Sequence, residues 1–172
     1  MNAYGSNEFI DRITNYNKKI HEDELTSLKN RRNMNDRFDL LVDSTFKENT
    51  SLSAVMMDID DFKTINDMNG HLFTDAVLKK TAQTLISNFS VSGGDIIVRY
   101  GRDEFFIALK NIFRQLLEQR IKTIQKALKE QEYPVSISAG ILQDKDIVSI
   151  IDKALYRVKK EYKVKYTFFD EQ

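Results

Sequence analysis

The chain has no cysteine. Disulfides and thiolate metal sites are therefore excluded, and the absence fits a reducing cytoplasm. Charge of neither sign is in excess, since 26 basic residues balance 26 acidic ones over 172 positions. A chain that neutralises a nucleic-acid backbone normally carries a basic surplus, so this balance argues against a nucleic-acid partner. A small phosphate ligand needs only a local patch and stays allowed. No apolar run is long enough to span a bilayer, and MNAYGSNEF lacks the basic-then-apolar layout of a secretion signal. No membrane contact is expected from this chain; a membrane anchor, if the natural protein has one, is expected outside it. Proline occurs once, at Pro134, and no repeat or low-complexity segment is visible.

What is present is an ordinary globular mixture, 41% apolar and 30% charged, in a length that suits one domain with a sizeable core. Glu8–Glu22 carries Phe9, Ile13, Tyr16 and Ile20 at helical spacing on an otherwise polar background. So narrow a stripe suits either packing against a second copy along one seam or docking on the chain's own domain. The expected organisation is an N-terminal helix over 1–22 and a domain over 23–172.

Within that domain, a turn at Asp23–Asn30 leads to a helix bearing Met34, Phe38, Leu41 and Val42. Ser53–Ile59 has the length of a buried strand. Asp75–Phe89 reads as a helix with Val77, Leu78, Leu85 and Ile86 inward. Asp95–Tyr100 and Glu104–Leu109 form the arms of a hairpin. Ile112–Gln131 is an amphipathic helix on Leu116, Ile121, Ile124 and Leu128. Pro134 opens the strand VSISAGI, Ile147–Lys160 is helical, and KYTFFDE is a last strand. This interleaving predicts an α+β fold, a sheet with an antiparallel component covered by helices.

Two stretches carry chemistry. In DIDDFKTIND, Asp58 closes an apolar strand, and Asp60 and Asp61 follow at once. Alternation puts Asp58 and Asp60 on one side of an extended chain. Crowded carboxylates repel unless a cation neutralises them, and Mg²⁺ takes one or two carboxylates together with phosphate oxygens. Taken alone, the stretch reads as a solvated loop in which Asp60 or Asp61 caps the next helix. The second stretch is RYGRDEFF, with Asp103 and Glu104 at a hairpin turn, a place that favours Asp for local reasons. Taken together, the two stretches say more. If the strands are neighbours, their acids converge, and a pair of cations there could serve phosphoryl or nucleotidyl transfer.

On these residues the chain resembles a GGDEF domain, the diguanylate cyclase family. The matching stretches are DELTSLKNRR, DIDDFKTINDMNGH, RYGRDEF, VSISAGI and DKALYRVKK, in the family's order and spacing. The resemblance implies a central, mostly antiparallel sheet wrapped by helices, related to nucleotidyl cyclase and polymerase palm domains. It implies a homodimer in which each subunit holds one GTP with Mg²⁺ (or Mn²⁺). Two GTP then become cyclic di-GMP, a bacterial second messenger, with release of pyrophosphate. Carried over by position, Asp58, Asp103 and the Ile59 carbonyl match metal ligands. Glu104 matches the second signature acid, beside the attacking hydroxyl. Asn66 and Asp75 match the pair that reads guanine, through an amide and a carboxylate of suitable chemistry. Lys63 and Lys159 match phosphate contacts, and the backbone amides of Asp61 and Phe62 open a helix facing the phosphates.

The sequence also departs from the pattern. Arg102 replaces the signature's second glycine, so that GGDEF reads GRDEF. That substitution threatens a positive φ or the approach of a ligand, although a guanidinium is also a good phosphate donor. Thr74-Asp75 stands where the family has Gly-Asp, which stiffens the loop. Near the C-terminus Tyr162, Lys163 and Val164 replace Gly-Arg-Asn; Lys163 keeps the charge without the bidentate fork. Ser92 replaces the arginine of the product-inhibition motif ahead of Asp95, so no such feedback site is expected. The implied function is a cytoplasmic diguanylate cyclase domain, with an upstream sensor domain as an optional partner. The alternative is a degenerate domain that binds GTP and signals without efficient turnover.

Overall fold

The computed structural model describes residues 3–89, 95–144 and 167–168. The helix α1 spans Ala3–His21, β1 Lys29–Asn30 and α2 Arg31–Lys47. They are followed by β2 Leu52–Ile59, α3 Phe62–Asn69, α4 His71–Asn88, β3 Ile96–Arg99 and β4 Glu104–Lys110. The described order closes with α5 Arg114–Lys129, β5 Ile137–Asp144 and β6 Thr167–Phe168. The strands form one sheet in the order β1-β3-β4-β2-β5-β6. The inner pairings β3–β4, β4–β2 and β2–β5 are antiparallel, and β1 and β6 add parallel edges. The α+β expectation is met.

β2 lies between two hydrogen-bonded neighbours and is packed on both faces, and LSAVMM is buried throughout. On one face Val55, Met57, Ile59, Phe105, Ile107 and Ile141 meet the inner sides of α4 and α5. On the other, Ala54, Met56, Val98 and Phe106 meet Met34 and Leu41 of α2. The side chains therefore alternate between two cores, as a period of two requires.

Several expectations are corrected. The inward residue at the start of α5 is Leu117, fully buried, whereas Leu116 is 41% exposed. Leu117, Ile121, Ile124 and Leu128 follow helical spacing, while Leu116 stands roughly 140° round the helix from Ile121. In α4 it is Ile86 that turns outward, and Thr81 and Ala82 fill the inner face with Val77, Leu78 and Leu85. That helix begins at His71, ahead of the expected Asp75, because Gly70 breaks the chain between α3 and α4 with φ +80°. The ladder of β5 starts at Ile137, beyond Pro134, since Val135 N–H is tied back to Leu128 and Ser136 O accepts from Asp60 N–H. The helix expected over 147–160 lies outside the described residues, as does most of the expected last strand.

Part of the stripe on α1 is not laid against its own domain: Ile13 and Tyr16 are exposed, while Ile20 is half-buried at the fastened end. The C-terminal end of α1 is fastened. The Asn30 side-chain amide donates to Ile20 O and Glu22 O, while its carbonyl caps α2 at Asn33 N–H.

The two leucines of α5 give a direct test. Leu117→Ala should cost about 2–4 kcal/mol of stability through the cavity it leaves. Leu116→Ala should cost less than about 1 kcal/mol. Urea denaturation of the two variants measures the difference; equal costs would contradict the facing described for α5.

Candidate active site

The end of β2 brings the acids together. In the register of the sheet, Asp58 stands opposite Glu104 on β4 and opposite Ser138 on β5. Residues directly opposite on antiparallel strands project from the same face, about 5 Å apart at Cβ. Asp58 and Glu104 thus continue the row of Met56 and Phe106 on the α2 side. Like charges so placed destabilise a sheet unless a cation is near.

Asp103 sits in the turn just before β4. Its carbonyl accepts from Ile59 N–H at 3.2 Å, so the turn is pinned to the end of β2. Asp58, Ile59, Asp103 and Glu104 therefore share one patch of backbone. Burial pushes the Asp103 carboxyl above its ordinary 3.8. A hydrogen bond from its own N–H and the charges of Arg102 and Arg99 pull the other way without cancelling the effect.

The turn is closed at Gly101 by the backbone. Tyr100 and Gly101 both donate N–H to Glu104 O, and the Glu104 carboxylate lies against the Gly101 α-carbon. A Cβ at 101 would make that carboxylate swing aside. At 102 the strain expected from losing a glycine is not found, because Arg102 does not adopt a positive φ. Its carbonyl accepts from Arg99 Nη2 at 2.6 Å, and its exposed guanidinium lies 5.6 Å from the centre of the Phe62 ring. Arg99 also clasps both oxygens of Asp23, at 3.1 and 3.2 Å. Burial raises the Asp23 carboxyl, but hydrogen bonds from Thr26 and from Arg99 outweigh it and leave the group below 3.8.

Beyond Asp58 the chain turns sharply. Asp60 accepts a 2.6 Å bond from the Ser138 hydroxyl. Asp61 takes the left-handed conformation, with φ 55° and ψ 25°, at the N-cap of α3. Neither caps the helix in the expected way: Asp60 is turned to Ser138, and Asp61 makes no side-chain cap bond. Phe62 is buried and anchors the first turn, while Lys63 is exposed on α3. Asn66 and Asp75, both half-buried, come from α3 and α4. The helices are joined beside them by the Thr74 hydroxyl, which lies 2.9 Å from Asn66 Oδ1. Lys159, Lys163 and Ser92 lie outside the described residues. Asp95 accepts from Lys110 N–H at 3.2 Å, and burial raises its carboxyl.

Among the described residues no three acidic or imidazole groups are gathered closely enough to hold a metal ion by themselves. The oxygen donors present still fit Mg²⁺, which binds through one or two carboxylates and takes its remaining ligands from water and phosphate. The sequence reading missed the roles of Ser138 and Gly101, the contact of Thr74 with Asn66, and the Asp23–Arg99 clasp. Ser138 and the clasp join residues 78 and 76 positions apart, whereas Thr74 and Gly101 meet partners close by in the chain. Only the alternation in VSISAGI hinted that Ser138 shares a face with an active strand.

A profile described as "Diguanylate cyclase, GGDEF domain" matches residues 20–165. The chain belongs to the GGDEF family. Diguanylate cyclase DosC of Escherichia coli K12 is 32% identical over 156 residues, covering 83% of this chain and 34% of DosC. The GGDEF domain here thus spans about a third of that relative. The coiled coil and GGDEF domain of DgcB from Caulobacter crescentus, solved with c-di-GMP, superposes with a TM-score of 0.82 at 19% identity. It covers 96% of this chain and 94% of that one. A sensory box/GGDEF family protein from Caulobacter crescentus CB15 is 29% identical with a TM-score of 0.67, covering 81% and 98%. Among the described residues no helix is long and apolar enough to cross a membrane.

The raised Asp103 carboxyl has a consequence for stability. A folded state that holds the proton more tightly than the unfolded chain loses stability as pH rises from 3.8 through the folded value. Above that value the penalty is fully present. Without nucleotide or divalent metal, Asp103→Asn should therefore melt at a higher temperature than the parent at pH 7. The gain should vanish once pH falls below 3.8. A variant that melts no higher at pH 7 contradicts the burial penalty.

Proposed function

We propose that this GGDEF domain is a diguanylate cyclase, condensing two GTP into cyclic di-GMP as a homodimer. The observation that carries the proposal is the register placing Asp58 across from Glu104, with Asp103 bonded to Ile59 beside them. Asp58, Asp103 and the Ile59 carbonyl would hold Mg²⁺ or Mn²⁺. When bound, the metal offsets phosphate charge and makes the attacking hydroxyl more acidic.

The chain's own groups do the rest. Asn66 and Asp75 bind guanine, the carboxylate accepting from N1–H and N2–H and the amide serving an acceptor of the base. The N–H groups of Asp61 and Phe62 at the start of α3 face the phosphates, joined by Lys63, Lys159 and Lys163. Glu104 accepts the proton of the ribose 3′-hydroxyl. That oxygen forms a bond to the α-phosphorus of the GTP on the other subunit, and the bond to pyrophosphate breaks. Two such transfers close the ring and release two pyrophosphates. The exposed stripe on α1 supports a dimer that sets the two sites face to face. The cytoplasm, where GTP is found, is the compartment this function requires.

Arg102 favours a second reading, in which the domain holds GTP without efficient turnover. Its side chain is exposed in the signature loop at a place where the family has no side chain. One assay separates the readings. Purified protein is incubated with GTP and Mg²⁺ or Mn²⁺, and pyrophosphate and cyclic dinucleotide are measured. The cyclase reading predicts both products, with Asp58→Ala slower by about a hundredfold or more. Products from Arg102→Gly alone support the GTP-holding reading. So does a rise in melting temperature with GTP in the absence of turnover by either protein. No response to GTP with either metal overturns both.

A further inference from the structure

Thr74 is fully buried in the first turn of α4, yet its hydroxyl faces oxygens on all sides. Asn66 Oδ1 lies 2.9 Å away, His71 O 3.0 Å and Gly70 O 3.3 Å. A hydroxyl has one hydrogen and can satisfy only one of these at a time. Gly70 O already accepts the Thr74 N–H, and His71 O is a first-turn carbonyl placed to accept within α4. The side-chain oxygen of Asn66 is the nearest of the three, and it has no such bond from the helix ladder. Donation to Asn66 fixes the amide in one of its two orientations. Its oxygen is held toward α4, and its NH₂ becomes the edge free to address a ligand.

We propose that Thr74 is a positioning residue of the base pocket. By holding Asn66 Oδ1 it presents the Asn66 amide as a donor, so that the amide serves an acceptor atom of the purine while Asp75 accepts from the base N–H groups. The inference rests on the reading that Asn66 and Asp75 bind guanine, and it adds a residue of this chain that acts only through Asn66. Thr74 is the immediate neighbour of Asp75, so one short stretch of α4 supplies a ligand-facing carboxylate and the brace for its partner. The stiffening expected from Thr74 thus has a definite target. The β-branched side chain, locked in a buried site, is a better brace than a mobile one.

The test is a double-mutant cycle on GTP affinity, measured with Ca²⁺ to bind nucleotide without turnover. The set is the parent, Thr74→Val, Asn66→Ala, the double variant and Thr74→Ser. Thr74→Val keeps the shape and removes the hydroxyl. It should weaken GTP binding roughly threefold to tenfold, the effect of one lost hydrogen bond. Thr74→Ser should restore most of the affinity. In the Asn66→Ala background Thr74→Val should change nothing further, because the group it positions is gone. A packing role for Thr74 would weaken binding equally in both backgrounds, and that result overturns the proposal. So does an unchanged affinity in Thr74→Val while Asn66→Ala binds weakly, which leaves the guanine reading intact. A parent protein that binds no GTP overturns the guanine reading and this inference together. If Thr74→Val does not fold, Thr74→Ala takes its place in the cycle, with melting temperatures recorded for every variant.

Discussion

The site depends on the register of one strand. β2 is held on both sides, by β4 and by β5, and the ladder pairs Asp58 with Glu104 and with Ser138. A slip of one residue would turn the whole strand over and send Asp58 into the core shared with α4 and α5. That slip is opposed along the full length of β2, because Val55, Met57 and Ile59 fill one core and Ala54 and Met56 the other. The buried apolar residues therefore decide where the acids lie. Two carboxylates facing each other at a strand end are unfavourable in the fold by themselves, and the core on both sides offsets that cost.

A second constraint joins the signature loop to the entry of the domain. Arg99, at the end of β3, holds Asp23 with one arm and the Arg102 carbonyl with the other. Asp23 in turn lies in the turn that follows α1, whose end is fastened to α2 through Asn30. The exit of the N-terminal helix and the loop bearing Asp103 are thus two bonds apart through a single guanidinium. The planar fork of arginine suits this task, and lysine could not make both contacts. The same fork explains how position 102 accommodates a side chain. Its backbone is fixed by its carbonyl, and its own guanidinium is directed over Phe62.

Much of this was legible in the order of residues. The apolar run ending in Asp58, the hairpin around Asp103 and the five matching stretches indicated both the α+β fold and the family. Periodicity placed α2, α5 and the inner residues of α4, but failed by one residue at Leu116 and Ile86. At those positions two adjacent apolar residues compete for one inward direction, and packing against the sheet decides between them. The strain expected at Arg102 was misplaced: the left-handed residue near the site is Asp61. Sequence cannot tell which residue of a tight turn takes the unusual φ when none of the candidates is glycine.

The sequence by itself determined the chemistry available: hard oxygen ligands in two separate stretches and no thiol, which follow from residue type and local spacing. The pairing of Asn66 with Asp75 as a purine reader came only from the resemblance to the family. Only the tertiary structure decided that Asp58 faces Glu104, that Ser138 takes up Asp60, that Arg99 ties Asp23 to the signature loop, and that Thr74 meets Asn66. Each of these joins residues whose separation in sequence says nothing about their separation in space. Their meeting is fixed by the pairing of strands and by the cores on either side of the sheet.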